Sequence, residues 1–169
     1  MASDVVVTVL AFGHILFAMG WLGGGLLTAF GIGPSLRKLA PPAAMEFNAK
    51  VIPRMVRFIE VSIGLTFLFG LGLLYTSFNG DFSFLMNSTQ GYVLSTGILL
   101  ALVAGAVGFS VVAPSFRRVS RLSAAAIESG QPPSPEMMKY AKRAAKGSMV
   151  GAVLLLLVLL MMVTSGFHF

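Results

Sequence analysis

The chain has 169 residues, 56% of them hydrophobic and 11% charged, with a mean hydropathy of +0.88. A soluble domain carries about 25% charged residues, so this chain has too little polar surface to face water all round. Its net charge of +6 does not point to nucleic acid, because all 12 Lys and Arg fall in two loops, and the absence of cysteine excludes disulfides, thiolate metal sites and thiol nucleophiles.

Four apolar stretches reach the roughly 20 helical residues that a bilayer crossing needs. They are Val5–Gly33, Phe58–Thr76, Gly91–Ala113 and Gly147–Phe167. The expected fold is all-α, a single transmembrane domain over residues 1–169 built as a four-helix bundle. The fourth stretch, "GAVLLLLVLLMMV", has no polar face to offer a soluble bundle. The opening "MASDVVV" has an acid where a secretory signal needs positive charge, so the first stretch is expected to be a retained helix.

Between the first and second spans lie Arg37, Lys38, Lys50, Arg54 and Arg57; between the third and fourth lie Arg117, Arg118, Arg121, Lys139, Lys142, Arg143 and Lys146. Neither end of the chain, nor the loop Ser77–Gln90, carries any. Cytoplasmic loops collect Lys and Arg. The basic loops 34–57 and 114–146 are therefore expected on the cytoplasmic side of a cell membrane, with both termini outside. The partner this implies is the lipid bilayer, including its anionic headgroups.

The two halves echo each other. "GPSLRKL" (Gly33–Leu39) closes the first span and "APSFRRV" (Ala113–Val119) closes the third, eighty positions later. Pro41-Pro42 follows the first and Pro132-Pro133 the second. Proline is expected to stop each spanning helix at the interface, where Arg and Lys snorkel to the headgroups. "SPE" at Ser134–Glu136 reads as an N-cap, a first-turn proline and an acid, which starts a helix. The pattern predicts two tandem hairpins of the same orientation, a parallel 2+2 repeat. In that alignment His14 stands opposite Leu94 and Trp21 opposite Ala101. Small residues spaced by four (Gly20 and Gly24, Ala101 and Gly105, Ala104 and Gly108, Gly147 and Gly151) predict close helix contacts within the bundle.

"GHILFAMGWLGGG" (Gly13–Gly25) places one of only two histidines inside an apolar run. His14 lies 20 residues before Pro34, about 30 Å along a helix, which puts it near the outer boundary of the hydrocarbon. His168, at the end of the fourth span, is expected at a similar height, with Tyr75 and Tyr92 nearby. The His14 face continues through Ala18, Trp21, Gly25 and Thr28. Ala18 and Gly25 leave a flat shelf around the tryptophan. Such a shelf beside an imidazole suits a planar cofactor such as haem, whose iron takes a neutral histidine nitrogen; it equally suits a close helix neighbour. Ten methionines raise Cu(I), but they are scattered or, like Met161 and Met162, adjacent and so pointing apart. Glu60, the only acid within a span, is expected to pair with Arg57 three residues earlier. No Ser/His/Asp set, phosphate loop or carboxylate pair is present.

The element "HILFAMGWLGGG" resembles the first helix of copper-resistance D-type membrane proteins and of the related J-type protoporphyrinogen oxidases. "RMVRFIEVSIGLTFLFGLGLL" (Arg54–Leu74) and "GYVLSTGILLALV" (Gly91–Val103) are similar to the second and third helices of the oxidases. The resemblance implies haem b held by His14. The oxidases carry a lysine five residues after the glycine that opens helix 3, where this chain has Thr96; the haem-binding part carries over and the oxidation does not.

The expected function is haem b binding near the outer side through His14, in electron transfer or a redox reaction. His168 is the candidate second ligand, and Ala18, Trp21 and Gly25 are the pocket wall. Two other readings stand beside it. One is a non-catalytic subunit of a larger membrane complex, or a homo-oligomer, in which His14 only hydrogen-bonds. The other is copper or metal-ion transport.

Overall fold

The structure is a computed structural model that describes residues 4–165. Six helical segments make up the fold among the described residues: α1 (Asp4–Leu36), α2 (Pro41–Lys50), α3 (Ile52–Phe78), α4 (Phe84–Asn87), α5 (Thr89–Ser129) and α6 (Pro135–Thr164). Four of them, α1, α3, α5 and α6, are long and apolar enough to cross a bilayer. Their outward faces carry exposed Phe12, Met19, Leu68, Leu71, Leu99 and Leu160. An apolar surface of that extent on every long helix is stable in lipid and costly in water.

The helices pair in chain order. α1 runs along α3 and α5 along α6, with a lighter contact between α1 and α6. Most of the small residues act within the bundle, as expected; Gly151 does not, since a Cβ there would meet nothing within 4 Å. A methyl on Gly20 would meet Ser62 and Phe58 of α3, one on Gly24 would meet Ile59, and one on Gly105 would meet Phe67. All four long helices converge at Trp21, Ile63, Ala104 and Leu155, one residue from each. This waist divides the interior into two compartments.

The prolines do not stop the helices as expected. Leu27–Ile32 and Gly108–Val112 each form a π-helical turn, and the helix continues through Pro34 to Leu36 and through Pro114 to Ser129. Proline lacks an N–H, and its ring collides with the carbonyl four residues back. Widening the preceding turn removes that collision. The residue before each proline then bonds five residues back, Gly33 N–H to Thr28 O and Ala113 N–H to Gly108 O. The second and fourth spans also begin earlier than the hydrophobicity suggested, at Ile52 and Pro135.

The additional helical length forms a cap at the end of the bundle that carries the basic residues. Met45 of α2, Val119 of α5 and Met137 of α6 build a small core there, with Leu122, Ala126 and Tyr140 packed against it. Arg118 spans α5 and α6 by pairing with Glu136 at 2.8 Å. The expected α6 start is present: Ser134 Oγ accepts from Met137 N–H at 3.1 Å, with Pro135 in the first turn. At the opposite end, α4 lies so close to α5 that Gly91 has no room for a side chain. A Cβ there would sit 2.0 Å from the Phe84 carbonyl oxygen.

Candidate functional site

His14 sits on α1 nearly three turns from Asp4, and its ring is turned toward α3. His14 Nδ1 lies 2.9 Å from the carbonyl oxygen of Thr66. A carbonyl only accepts, so Nδ1 carries the hydrogen and donates it. The neutral ring therefore keeps its lone pair on Nε2. No hydrogen-bond partner for Nε2 exists among the described residues. Gly70 makes this approach possible, because a Cβ there would stand 2.8 Å from Nδ1 and 2.9 Å from Cε1. A histidine whose Nδ1–H is fixed by a backbone carbonyl is the arrangement in which imidazole commonly presents Nε2 to a metal.

Beside the ring lies a cavity of about 330 Å³ with almost wholly apolar walls. That volume is at the lower end of the range for small-molecule and cofactor pockets, about 300–1,000 Å³. Ile15, Met19, Leu71 and Leu159 line it while remaining exposed, so the cavity opens toward the surrounding lipid. Trp21, only 6% exposed, forms its floor with Phe67, the two rings 5.7 Å apart and inclined by 53°. Phe17 stacks on Phe69 at 5.7 Å.

Of the residues singled out in the sequence, His14, Ala18 and Trp21 share this cavity. Gly25 does not reach it and lies beyond Trp21, on the other side of the waist. The helical stripe is real, but the tryptophan cuts it in two. His168 lies outside the described residues; Ser165, near the end of α6, lines the cavity. Tyr75 and Tyr92 point outward and are exposed. Leu94 and Ala101, the positions that echo His14 and Trp21, line the same cavity from α5. Met162 lines it as well, so the adjacent pair Met161-Met162 does send one thioether inward.

Three functional contributors were not visible in the sequence. Gly70 was one of two glycines in "FLFGLG", with nothing to mark it as the one facing His14. Thr66 acts through its backbone carbonyl, which no side-chain pattern records. Met162 depends on the rotation of α6. Among the described residues no group of three His, Cys, Asp or Glu side chains could hold a metal ion by itself.

Beyond the waist is a smaller cavity of about 70 Å³, lined by Thr28, Glu60, Ser148, Gly25 and Gly151 among others. Glu60 does not pair with Arg57 as expected. Its carboxylate oxygens accept from Arg117 Nη2 at 2.7 and 2.5 Å, across from α3 to α5. Three residues of sequence separation make Arg57 a geometric neighbour, but Glu60 is turned inward where Arg117 reaches it. Glu60 also faces an open groove that it lines with Pro53, Arg57, Val61 and Arg117.

Compared with known families, curated proteins and solved structures, the chain matches none.

Proposed function

We propose that this is an integral membrane protein that binds haem b through His14, near the external face of a cell membrane, and serves electron transfer or a redox reaction. The observation that carries the reading is the state of one ring. His14 Nδ1–H is tied to the Thr66 carbonyl, its Nε2 keeps a lone pair, and an apolar cavity lies alongside. A histidine that served only to link two helices would need no space beside it.

An imidazole nitrogen with no partner among the described residues, beside an apolar cavity, supports this reading. His14 would ligate the iron, Trp21 and Phe67 would support the apolar macrocycle, and Ala18 would leave room on the same helix. Haem, when bound, supplies one-electron exchange. The hydrogen bond from Nδ1 to Thr66 O holds the imidazole in one tautomer and one orientation, with Nε2 left to ligate. The apolar walls exclude water from the site. Met162, which lines the cavity from α6, would offer its thioether as a second ligand, and His168, outside the described residues, is the other candidate.

Two arguments support the wider frame of the proposal. The charge distribution favours cytoplasmic basic loops and external termini. The parallel arrangement of two hairpins is supported by the matched π-turns before Pro34 and Pro114, and by the matched positions of His14 and Leu94, Trp21 and Ala101 around one cavity.

The test is an absorption spectrum of the purified protein, as isolated and after addition of haemin. The expected result is a Soret band that shifts on reduction and is lost in His14→Ala. A colourless protein that takes up no haemin overturns the reading. Stoichiometric co-purifying partners in such a preparation would then favour a structural subunit, and bound copper would favour metal transport.

A further inference from the structure

We propose that the small cavity beyond the waist is a water-filled inlet, entered from the basic end past Glu60 and closed toward His14 by Trp21 and Leu155. The first observation is an orphaned hydroxyl. Ser148 Oγ is buried and has no hydrogen-bond partner among the described residues. Other hydroxyls on these helices return to their own backbone: Thr28 Oγ1 to Gly24 O at 2.7 Å, Thr66 Oγ1 to Ser62 O at 2.7 Å, Ser115 Oγ to Val111 O at 2.6 Å. That local bond is the usual answer to a hydroxyl in lipid. Ser148 does not use it, and leaving a buried hydroxyl unmade costs about 1–3 kcal/mol.

The second observation is space with suitable partners. The cavity of about 70 Å³ holds about two waters at the liquid's ~30 Å³ each. A buried water needs two to four polar contacts. Ser148, Thr28 and Glu60 line this one cavity, and the rest of its wall is almost wholly apolar. Glu60 retains acceptor sites beyond those Arg117 occupies. Gly108 adds the backbone of the second π-turn to the lining.

The third observation concerns glycine. A Cβ on Gly151 would meet nothing within 4 Å, and Gly151 lines the cavity. Glycine in a helix interior is less favourable than alanine by roughly 1 kcal/mol, and here no neighbour demands it. The empty volume is the one structural consequence of its presence.

The path follows from shared walls. Glu60 belongs both to the cavity and to the groove of Arg57 and Arg117 at the basic end. Trp21 and Leu155 belong both to the cavity and to the His14 compartment. The first wall meets solvent, with the Glu60 and Arg117 side chains 16% and 50% exposed, whereas Trp21 and Leu155 are each 6% exposed, so water entering past the ion pair reaches Ser148 and stops one side chain short of the His14 site. The inlet does not depend on the haem reading. If haem is bound, the water column supplies protons close to a centre whose charge changes on reduction.

Because the chain contains no cysteine, single thiols report the environment directly. Ser148→Cys is nearly isosteric, and Val153→Cys on the exposed face of the same helix provides the lipid control. The protein in membranes is treated with Ag⁺, and the surviving thiols are counted with a maleimide after denaturation. The expected result is reaction at position 148 roughly tenfold or more faster than at 153, since a thiol in apolar surroundings does not ionise. Adding Gly151→Val to Ser148→Cys should slow the reaction by filling the space. If Ser148→Cys does not fold, Gly151→Cys takes its place. A cavity thiol that reacts no faster than the Val153→Cys thiol overturns the proposal, because a dry or lipid-filled void then holds the hydroxyl.

Discussion

Helices α1 and α5 meet the same problem and solve it in the same way up to a point. Each carries a proline eighty residues from the other, and each admits it by a bond from the preceding residue to a carbonyl five back. After that they part. α1 ends within one turn, at Leu36, while α5 runs on to Ser129 and ends where Gly130 takes a left-handed conformation at φ 63°. The residues that follow decide the difference. "SFRRVSRLSAAA" keeps an apolar stripe, with Val119 and Leu122 packed against Met45 and Met137. "SLRKLAPP" has no such stripe before Pro41 and Pro42. A proline in a membrane helix is thus a local cost, and the packing available beyond it decides whether the helix continues.

The helices differ a second time around the cavity they share. α1 contributes His14 and Trp21, and α5 contributes Leu94 and Ala101 at the echoing positions. A wall that carries an imidazole and an indole faces one with only aliphatic side chains at the echoing positions. The asymmetry, rather than the shared backbone device, makes a site.

The strongest way to break that contrast is to erase it. His14→Ala should abolish the Soret band, whereas Leu94→Ala should leave it in place. With Met162 as the second ligand, Leu94→His, which places an imidazole on the opposite wall, should change the reduced and oxidised spectra toward those of a haem with two histidine ligands. In that case an unchanged spectrum would mean that Leu94 does not face the group proposed for His14.

A smaller effect is expected from Gly70→Ala. The added methyl displaces the ring and breaks its bond to Thr66 O. Loss of an outer-shell partner typically costs 10- to 100-fold in metal affinity, so haem should be retained at roughly that disadvantage. Retention at the parental level would show that the Thr66 contact does not orient the ring.

Next comes the link between the halves. Arg117→Ala strands a largely buried Glu60 carboxylate and should lower stability by about 1–3 kcal/mol. Arg57→Ala, on the same helix as Glu60, should stay within about 0.5 kcal/mol. Chemical denaturation in detergent separates the two, and equal losses would restore the expectation that Arg57 is the partner. The smallest effect concerns the prolines themselves. Pro114→Ala should shift the thermal midpoint more than Pro34→Ala, because Pro114 sets the direction of a packed extension and Pro34 that of a single turn.

The legible features and the hidden ones divide along physical lines. Four spans could be read because crossing a bilayer demands an uninterrupted apolar length, a one-dimensional property. The Ser134 cap and the close helix contacts at Gly20 and Gly24 were readable for the same reason: each rule involves residues within one turn or one helix face. Glu60 was misassigned because sequence proximity offers Arg57 while helix rotation offers Arg117. The end of α5 was misplaced because proline was weighed without the cap that holds the helix together beyond it. Gly25 was placed with His14 because periodicity knows the face of a helix but not what a tryptophan on that face will separate.

Residue order alone therefore determined that this chain makes four apolar helices, where its charges collect, and that one imidazole lies inside the first. Only the packed bundle decided that Thr66 takes the hydrogen on Nδ1, that Gly70 lets the ring come close, and that Trp21 and Leu155 divide the interior in two. Hydrophobic length and charge act along the chain. Cavities, tautomers and ion pairs arise only where distant turns meet.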